Sequence, residues 1–463
     1  MGRFGVKEKL SKYGSLWVIL LFFIAGVFIR QPWKGDSLEQ KTIYWDVISY
    51  YAYLPATFIH GDLSLGFLKK PVVDSNFINL YWPTRLENGN EIIKTTMGWA
   101  ILNVPAFFLG HTYAKLFGHT QDGFSTPYQV AIAFNNVLFC FLGFLYLFRL
   151  LSTFFQAKTV QLTMICVAFG TNIFYYTSFT NPISHCYEFT LILMFLWYSL
   201  RWYETPQAKI LYFLGLLLGF IILIRPLNLI VVIIPLLFHI DQKNFVHKQW
   251  TLVKTHYKHL LIAGLCVFFV ILPQLLYWRV FTGNWVFNSY VGEQFFWSRP
   301  MVAEFLFSYR KGWLLYTPMM AVMLFGFIIQ KRNLNQILPQ ILILLLIMIW
   351  VNACWWCWWF GGTFGCRVLI DFYGLFALPL AVVIEYCFSR HLMFRLSFAI
   401  LLSCVVFINL FQTRQKLEGQ IHWDSMTKEA YWEVFLKRRF PENYEKLLKT
   451  PDYEAAKRGD IVR

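Results

Sequence analysis

Charge is what this chain has little of. Asp, Glu, Lys and Arg together make up 14% of its 463 residues, against 57% hydrophobic and 20% aromatic residues, and the mean hydropathy is +0.49. That balance excludes an ordinary soluble domain and points to a polytopic membrane protein. Acids are the scarcer sign: 25 Asp and Glu stand against 41 Lys and Arg, a net charge of +16. Such an excess would suit nucleic acid if it came as basic runs interleaved with polar recognition residues. Most of the cations instead lie in short loops between apolar runs, so no nucleic-acid partner is expected. A P-loop and a strand-associated GxGxxG are both missing, which leaves nucleotide binding unsupported. There is no internal repeat and no low-complexity segment. Nor does a small-residue cleavage site follow the basic start and the apolar run Ser15–Ile29, only "RQPWKGD", so the first hydrophobic segment is expected to be a retained helix. Cysteine supplies no framework: the nine are scattered, and Cys140, Cys166, Cys186, Cys266, Cys387 and Cys404 sit in apolar runs, where a thiol behaves as a small hydrophobe. Cys354 and Cys357 in "CWWC" lack the second pair that a zinc site brings, and packing is preferred there over a metal or a disulfide.

What is present is a succession of apolar runs of the roughly 17 to 25 residues that a helix needs to cross a bilayer core, with Trp, Tyr and Pro at their ends. Windows of about 19 residues place spans near 15–30, 128–148, 159–178, 184–200, 208–224, 227–240, 259–279, 312–330, 335–353, 371–388 and 393–412. The expected fold class is all-α, a polytopic membrane helical bundle of about eleven spans with outer-face surface helices. A twelfth candidate, "MGWAILNVPAFFLGHTYAKLF" from Met97, is interrupted by Asn103, Pro105, Gly110, His111 and Lys115, and Pro breaks an unsupported helix interior. If it lies along the surface, sixteen Lys and Arg between Arg3 and Arg395 fall in short loops on the amino-terminal side, opposed only by Glu8, Glu204 and Asp241. If it crosses, every later loop inverts, against the positive-inside tendency. It is read as interfacial or re-entrant, with the N-terminus cytoplasmic.

On this topology a transmembrane unit covers residues 1–412, and a polar tail, 413–463, ends outside. The first outer segment, 31–127, has room for surface helices and an irregular stretch around "DSNFINLYWPTRLENGNE". Further outer loops run over 281–311 and 354–370, and "TKEAYWEVFLKRRF" in the tail has the amphipathic spacing of a short surface helix.

The unusual polar residues collect on that outer side. In "IYWDVISYYAYLPATF", Asp46, Ser49, Tyr50 and Tyr53 fall at i, i+3, i+4 and i+7, on one helix face limited by Pro55. An acid is thereby presented at the interface beside hydroxyls. His185 in "NPISHCYEF" opens the fourth span with Glu188 one turn deeper, and ionisable groups within apolar spans are costly and often functional. Six cations join them: Arg225 and Arg279 at span ends, Arg310 and Lys311 before the eighth span, Lys94 before the re-entrant segment, and Arg367 in "WWFGGTFGCRVLID" ahead of Asp371. A single Arg at a helix end commonly snorkels as an anchor; six around one outer cavity suggest an anionic ligand, and guanidinium suits phosphate. The glycines of "GGTFG" either let backbone amides approach an anion or form a tight turn under the Trp cluster. Trp355, Trp356, Trp358 and Trp359 either stack on sugar rings, line a lipid groove or form a plain aromatic belt.

In their order, an acid after the first span, a Lys before a re-entrant helix, a His at an outer helix start and a Trp/Gly/Arg loop near the end resemble the membrane glycosyltransferases of the GT-C fold, most of all the protein mannosyltransferase and aminoarabinose transferase type. The resemblance covers roughly residues 10 to 410 and rests on order and topology. It implies an enzyme that moves a sugar, with inversion, from a polyprenyl-phosphate carrier to a glycan, lipid or protein acceptor at the outer face. Compact loops without a retention signal favour a bacterial inner membrane. Asp46 matches the first-loop acid of such enzymes, Lys94 the lysine of their second characteristic stretch and Arg367 an arginine of the last outer loop. Two departures stand out. The single Asp of "YWDVI" replaces a frequent acid pair, which specifies no cofactor and leaves a divalent metal open, and "KTTMG" lacks the prolines that usually follow the lysine. The residue chemistry leads to the same reaction, because transfer from a lipid phosphate needs a base for the acceptor proton and cations for the departing phosphate. Asp46 is expected as base, Lys94, Arg225, Arg310 and Arg367 as ligands of the donor phosphate, and Tyr50, His185, Glu188 and Trp359 as groups that orient substrate. A polymerase acting on a diphosphate-linked oligosaccharide and a transporter, which would show paired repeats or interrupted helices near the midplane, stand as alternatives.

Overall fold

The computed structural model describes residues 6–31, 33–34, 41–69, 83–86, 89–238, 240, 243–329 and 331–461. Residues 74–82 and 87–88 of the stretch expected to be irregular, and Arg3 and Asp241 of the charge tally, lie outside these residues. The chain folds as an all-α membrane bundle, as a bilayer interior requires of apolar segments that must satisfy their backbone hydrogen bonds internally. Its main helices are α1 (Val6–Arg30), α2 (Asp46–Tyr51), α3 (Tyr53–Phe58), α4 (Gly98–Leu116), α5 (Thr126–Phe154), α6 (Ala157–Phe169), α7 (Ile173–Ser178), α8 (His185–Glu204), α9 (Ala208–Ile224), α10 (Phe245–Thr282), α11 (Leu338–Ala353), α12 (Tyr373–Phe388) and α13 (Leu392–Leu417). The strand pairing among the described residues is one short antiparallel ladder, with Thr84 opposite Ile92 and Arg85 opposite Glu91.

Most hydrophobic segments expected to span are single α-helices among the described residues. Among the described residues five helices are long and apolar enough to cross a bilayer, within Tyr13–Arg30, Thr126–Phe154, Phe245–Thr282, Ile370–Phe388 and Leu392–Leu417. Three other segments are not the single rods that were expected. The third breaks between α6 and α7, where the Asn172 side chain leaves the helix line to donate to Phe364 O at 3.0 Å and accept from Tyr373 Oη at 2.9 Å. The sixth is a 3-10 run, Pro226–Val232, followed by the single turn Ile233–Leu236. The eighth is cut into Trp313–Tyr316, Pro318–Leu324 and a 3-10 turn, because Pro318 has no N–H to extend the first piece.

The reverse holds for the interrupted candidate after Met97. It forms α4 without a break through Pro105, since its neighbours supply the support that an isolated helix would lack. Asn103 donates to Trp99 O at 2.9 Å and accepts from both the Asn135 amide at 2.8 Å and the Tyr187 hydroxyl at 2.9 Å. Trp99 Nε1 donates to Pro182 O just before α8, and Gly110 packs on the backbone of Pro127 and Tyr128 in the first turn of α5. Both parts of α4 thus touch helix beginnings at the same end of the bundle. The helix that carries Asp46 ends at Tyr51, before Pro55, which falls in the first turn of α3, where a missing N–H costs no helical bond.

The tail folds back onto that end with short helices Lys428–Val434, Tyr444–Leu447 and Tyr453–Lys457. Its amphipathic stretch buries Ala430, Tyr431 and Val434. All nine cysteines are unbridged, and Cys354 and Cys357 are both buried.

The broken eighth segment meets α12 backbone to backbone: a Cβ at Gly326 would lie 2.0 Å from Pro379 O. Gly326→Ala should therefore force the two segments apart, with the overpacking cost of about 1–3 kcal/mol. The expected outcome is a lower midpoint of thermal unfolding in detergent, and an unchanged midpoint would refute this close approach.

Candidate functional site

Asp46 is the first residue of α2, and the turn into it is strained. Trp45, directly before it, has φ 49°, the left-handed region that a side chain occupies at a cost of order 1–3 kcal/mol. The Asp46 carboxylate is 2.9 Å from an Arg367 guanidinium nitrogen, with the two side chains 44% and 20% exposed. Of the hydroxyls expected beside the acid, Ser49 and Tyr53 are occupied otherwise. Ser49 pairs with the Thr95 hydroxyl at 3.2 Å, and Tyr53 donates to Thr95 O at 2.7 Å. They pin the segment that carries Lys94. Tyr50 remains in the field of Asp46, Arg225 and Arg367; burial raises its hydroxyl pKa, and the two guanidiniums oppose that only in part.

Beneath this pair lies a second, buried centre built on Asp371. It is 1% exposed and sits in the turn Ile370–Phe372 before α12. Its carboxylate receives His185 Nδ1 at 2.6 Å, Asn228 Nδ2 at 2.9 Å and Arg225 Nε at 3.4 Å. Arg225 ends α9, Asn228 lies in the 3-10 run, and His185 starts α8, so three helix ends converge on one acid. Burial works against the Arg225 charge, but Asp371 and Tyr50 more than restore it and hold its pKa above the ordinary value. Arg367 behaves likewise, with Asp46 and Tyr176 as its counterweights. Glu188 is fully buried, and neither of its oxygens makes a hydrogen bond among the described residues. His185 and Glu188 were expected to orient substrate directly; at 1% and 0% exposure they line the floor of the site instead.

Lys94 joins from the side. It pairs with Glu293 and stands 4.7 Å from the centroid of the Tyr290 ring, while Trp356 Nε1 donates to the same Glu293 at 3.0 Å. Tyr290 in turn lies in the field of Tyr50, Arg225 and Asp46.

The remaining cations do not surround this cavity, contrary to expectation. Arg279 is exposed, bonds Gly283 O and lies 5.9 Å from the Trp285 ring. Arg310 and Lys311 are 3% and 2% exposed. Arg310 donates to Asp424 O and to Lys449 O of the tail, and Lys311 to Thr363 O, so both are spent on fastening loop and tail. Trp359 is fully buried under Tyr453, with its indole N–H 3.5 Å from the Tyr453 hydroxyl, and is out of reach of the site. "GGTFG" is a turn. The Thr363 and Phe364 amides are used by Trp423 O and Tyr176 Oη, and Gly365, at φ 61°, would push a Cβ to 2.7 Å from Tyr316 Cβ. No group of three or more His, Cys, Asp or Glu is gathered for a metal among the described residues; the partner of Asp46 is a cation. From sequence alone Asp371, noted only beside Arg367, takes no role, and Asn228, Tyr290 and Glu293 are passed over. The one usable signal was Asp371 itself, an acid four residues after Arg367 in an otherwise apolar run.

A helical membrane bundle with its polar residues gathered where short helices and loops meet at one end is the architecture of the GT-C membrane glycosyltransferases, and this chain has that fold. The family model of dolichyl-phosphate-mannose-protein mannosyltransferase matches residues 107–278. Among solved structures the chain is similar to the Archaeoglobus fulgidus oligosaccharyltransferase, crystallised with an acceptor peptide containing the NVT sequon tethered by a disulfide. The identity is 13% and the TM-score 0.50, over 95% of this chain and 58% of that one. This chain thus spans well under two thirds of that structure's length. No curated protein sequence matches it.

The fastening of the tail generates a pH prediction. Asp424 is fully buried and accepts from Ser425 Oγ at 2.6 Å and Tyr453 Oη at 2.9 Å, with His422 Nδ1 at 3.3 Å. Burial alone would raise its pKa, but these bonds outweigh burial and hold it below the ordinary carboxylate value. A depressed acid stabilises above its unfolded pKa, about 3.9, and that contribution is lost as pH falls through the lower folded value. The parent tail should thus resist proteolysis at neutral pH and become cleavable below about pH 4, whereas Asp424→Asn should be cleaved already at pH 7. Equal resistance of parent and variant at pH 7 would remove Asp424 as the fastening.

Proposed function

We propose that this protein is a membrane glycosyltransferase that takes a sugar from a polyprenyl-phosphate carrier and passes it to an acceptor hydroxyl at the end of the bundle bearing Asp46. The observation that carries the reading is the half-exposed Asp46 carboxylate, paired with Arg367 and set above the Arg225–Asp371 centre. The similarity to mannosyltransferases over residues 107–278 supports the reaction class. In the proposed step the acceptor oxygen attacks the anomeric carbon from the face opposite the phosphate, forming the new C–O bond with inversion. The bond from that carbon to the phosphate oxygen breaks, its electron pair leaves with the phosphate, and the acceptor proton passes to Asp46. Arg367 and Arg225 stabilise the charge that builds on the departing phosphate. A guanidinium has five donors, so Arg367 can hold the base and the phosphate together. Lys94 and Tyr50 border the same space. Asp371 does not meet the substrate; it keeps Arg225 in place. An outward-facing site in a bacterial inner membrane, with the N-terminus in the cytoplasm, completes the proposal. Interrupted helices would suit a transporter, but the break before α7 is closed by the bonds of Asn172 to Phe364 and Tyr373 and serves the Arg367 loop.

The test is transfer of labelled sugar from a panel of polyprenyl-phosphate donors to membrane extract, in liposomes carrying the protein. Asp46→Asn should lose roughly 100-fold or more in rate, the usual yield of a positioned base. Because Asp46 and Arg367 touch, the double variant Asp46→Asn/Arg367→Ala should be little worse than the poorer single one. Full activity of Asp46→Asn, or a requirement for a soluble sugar nucleotide, would sink the mechanism. Asp371→Asn should raise KM for the donor through a misplaced Arg225, and should leave KM for the acceptor close to the parent value.

A further inference from the structure

The opposite end of the bundle carries a cavity that the proposed reaction does not use. It has a volume of about 650 Å³ and lies among the last turns of α5 and α8 and the first of α9, lined by Arg149, Ser152, Trp197, Arg201, Thr205 and Ile210 among others. Both guanidiniums are exposed and lie near rings of their own helices: Arg149 is 5.0 Å from the Tyr146 centroid and Arg201 4.9 Å from that of Trp197. The acid facing them is Glu204, bonded to Arg201 at 3.0 Å with both side chains 53% exposed, a pairing of the kind that contributes little. Thr153 and Thr205 donate to the carbonyls of Arg149 and Arg201, which leaves the guanidiniums and the Ser152 hydroxyl as donors towards the cavity.

We propose that this cavity binds the headgroup of an anionic phospholipid. Two neighbouring guanidiniums match a phosphodiester, the apolar side of the cavity matches the glycerol and upper acyl region, and the position within the last turns of membrane helices is headgroup depth. The apolar wall argues against a fully hydrated soluble anion. The net positive charge argues against a zwitterionic lipid, whose ammonium would meet two cations and a single acid.

The experiment is native mass spectrometry of delipidated full-length protein given equal amounts of phosphatidylglycerol and phosphatidylcholine. The parent should retain phosphatidylglycerol with roughly tenfold or greater preference. Arg149→Gln/Arg201→Gln should abolish that preference, as should Ser152→Trp, which fills the cavity without removing charge. Glu204→Gln should strengthen it. Arg390→Gln/Arg395→Gln, which removes exposed cations at the same end of the bundle but outside the cavity, should leave it intact. Absence of preference in the parent, equal loss in both double variants, or displacement of the lipid by inorganic phosphate at matching concentration would overturn the proposal; the last result would assign the cavity to a free anion.

Discussion

Burying a carboxylate inside a helical bundle is costly unless donors meet it, and the arrangement of this protein's site depends on how that cost is met at Asp371. Stripping a carboxylate of water costs several kcal/mol even after relaxation, and the cost is recovered only when excellent geometry satisfies its lone pairs. Here the donors come from three places: His185 at the start of α8, Arg225 at the end of α9 and Asn228 in the 3-10 run that follows. Those helix ends must converge for the acid to be accommodated. Arg367, four residues before Asp371, is thereby fixed where it meets Asp46 at 2.9 Å. Removing Asp371 would leave the Arg225 guanidinium without the counterpart it meets at 3.4 Å, and removing a donor would leave the buried carboxylate short of a partner.

The same logic sorts the cations. A buried cation is tolerated only with acceptors around it, and Arg310 and Lys311 find theirs in backbone carbonyls of the tail and of the "GGTFG" turn. They act as fasteners. Lys94 is intermediate, since Glu293 neutralises it and Trp356 holds Glu293 from the other side. A tail helix covers these aromatics, with Tyr453 against Trp359 and Lys457 over Trp356. Loop and tail are thereby joined to the segment that carries Lys94 through Glu293 and Trp356.

Much of the fold was legible because a bilayer constrains sequence severely. Apolar runs of spanning length had to be helical, and most of the expected segments are single helices. What misled was local punctuation. Pro105 reads as an interruption, yet α4 runs through it because packing and side-chain bonds supply what the missing N–H cannot; Pro55 falls in the first turn of α3, where no helical N–H bond is lost, and the helix that carries Asp46 ends before it, at Tyr51. Conversely, the third, sixth and eighth segments read as whole and are broken: Asn172 and, in the 3-10 run, Asn228 bond neighbours, and Pro318 lacks a donor. For the site, Asp46, Arg225 and Arg367 were visible as ionisable residues at hydrophobic boundaries. Arg310 and Trp359 looked the same and lie elsewhere.

By itself the sequence determined the class of structure, its helix order and the short list of charged residues from which any site had to be drawn. Burial of charge in hydrocarbon is costly enough to make most exceptions visible without coordinates, although Asp371 and Glu293 gained a role only from the structure. Only the tertiary structure decided which of these meet: that Asp46 pairs with Arg367 across 321 positions of chain, that Asp371 is the shared anchor, and that Arg310 faces a tail instead of the site. Periodicity reports which face of one helix is polar, whereas pairing between helices depends on rotation and depth, and those are set by side-chain packing along their whole length.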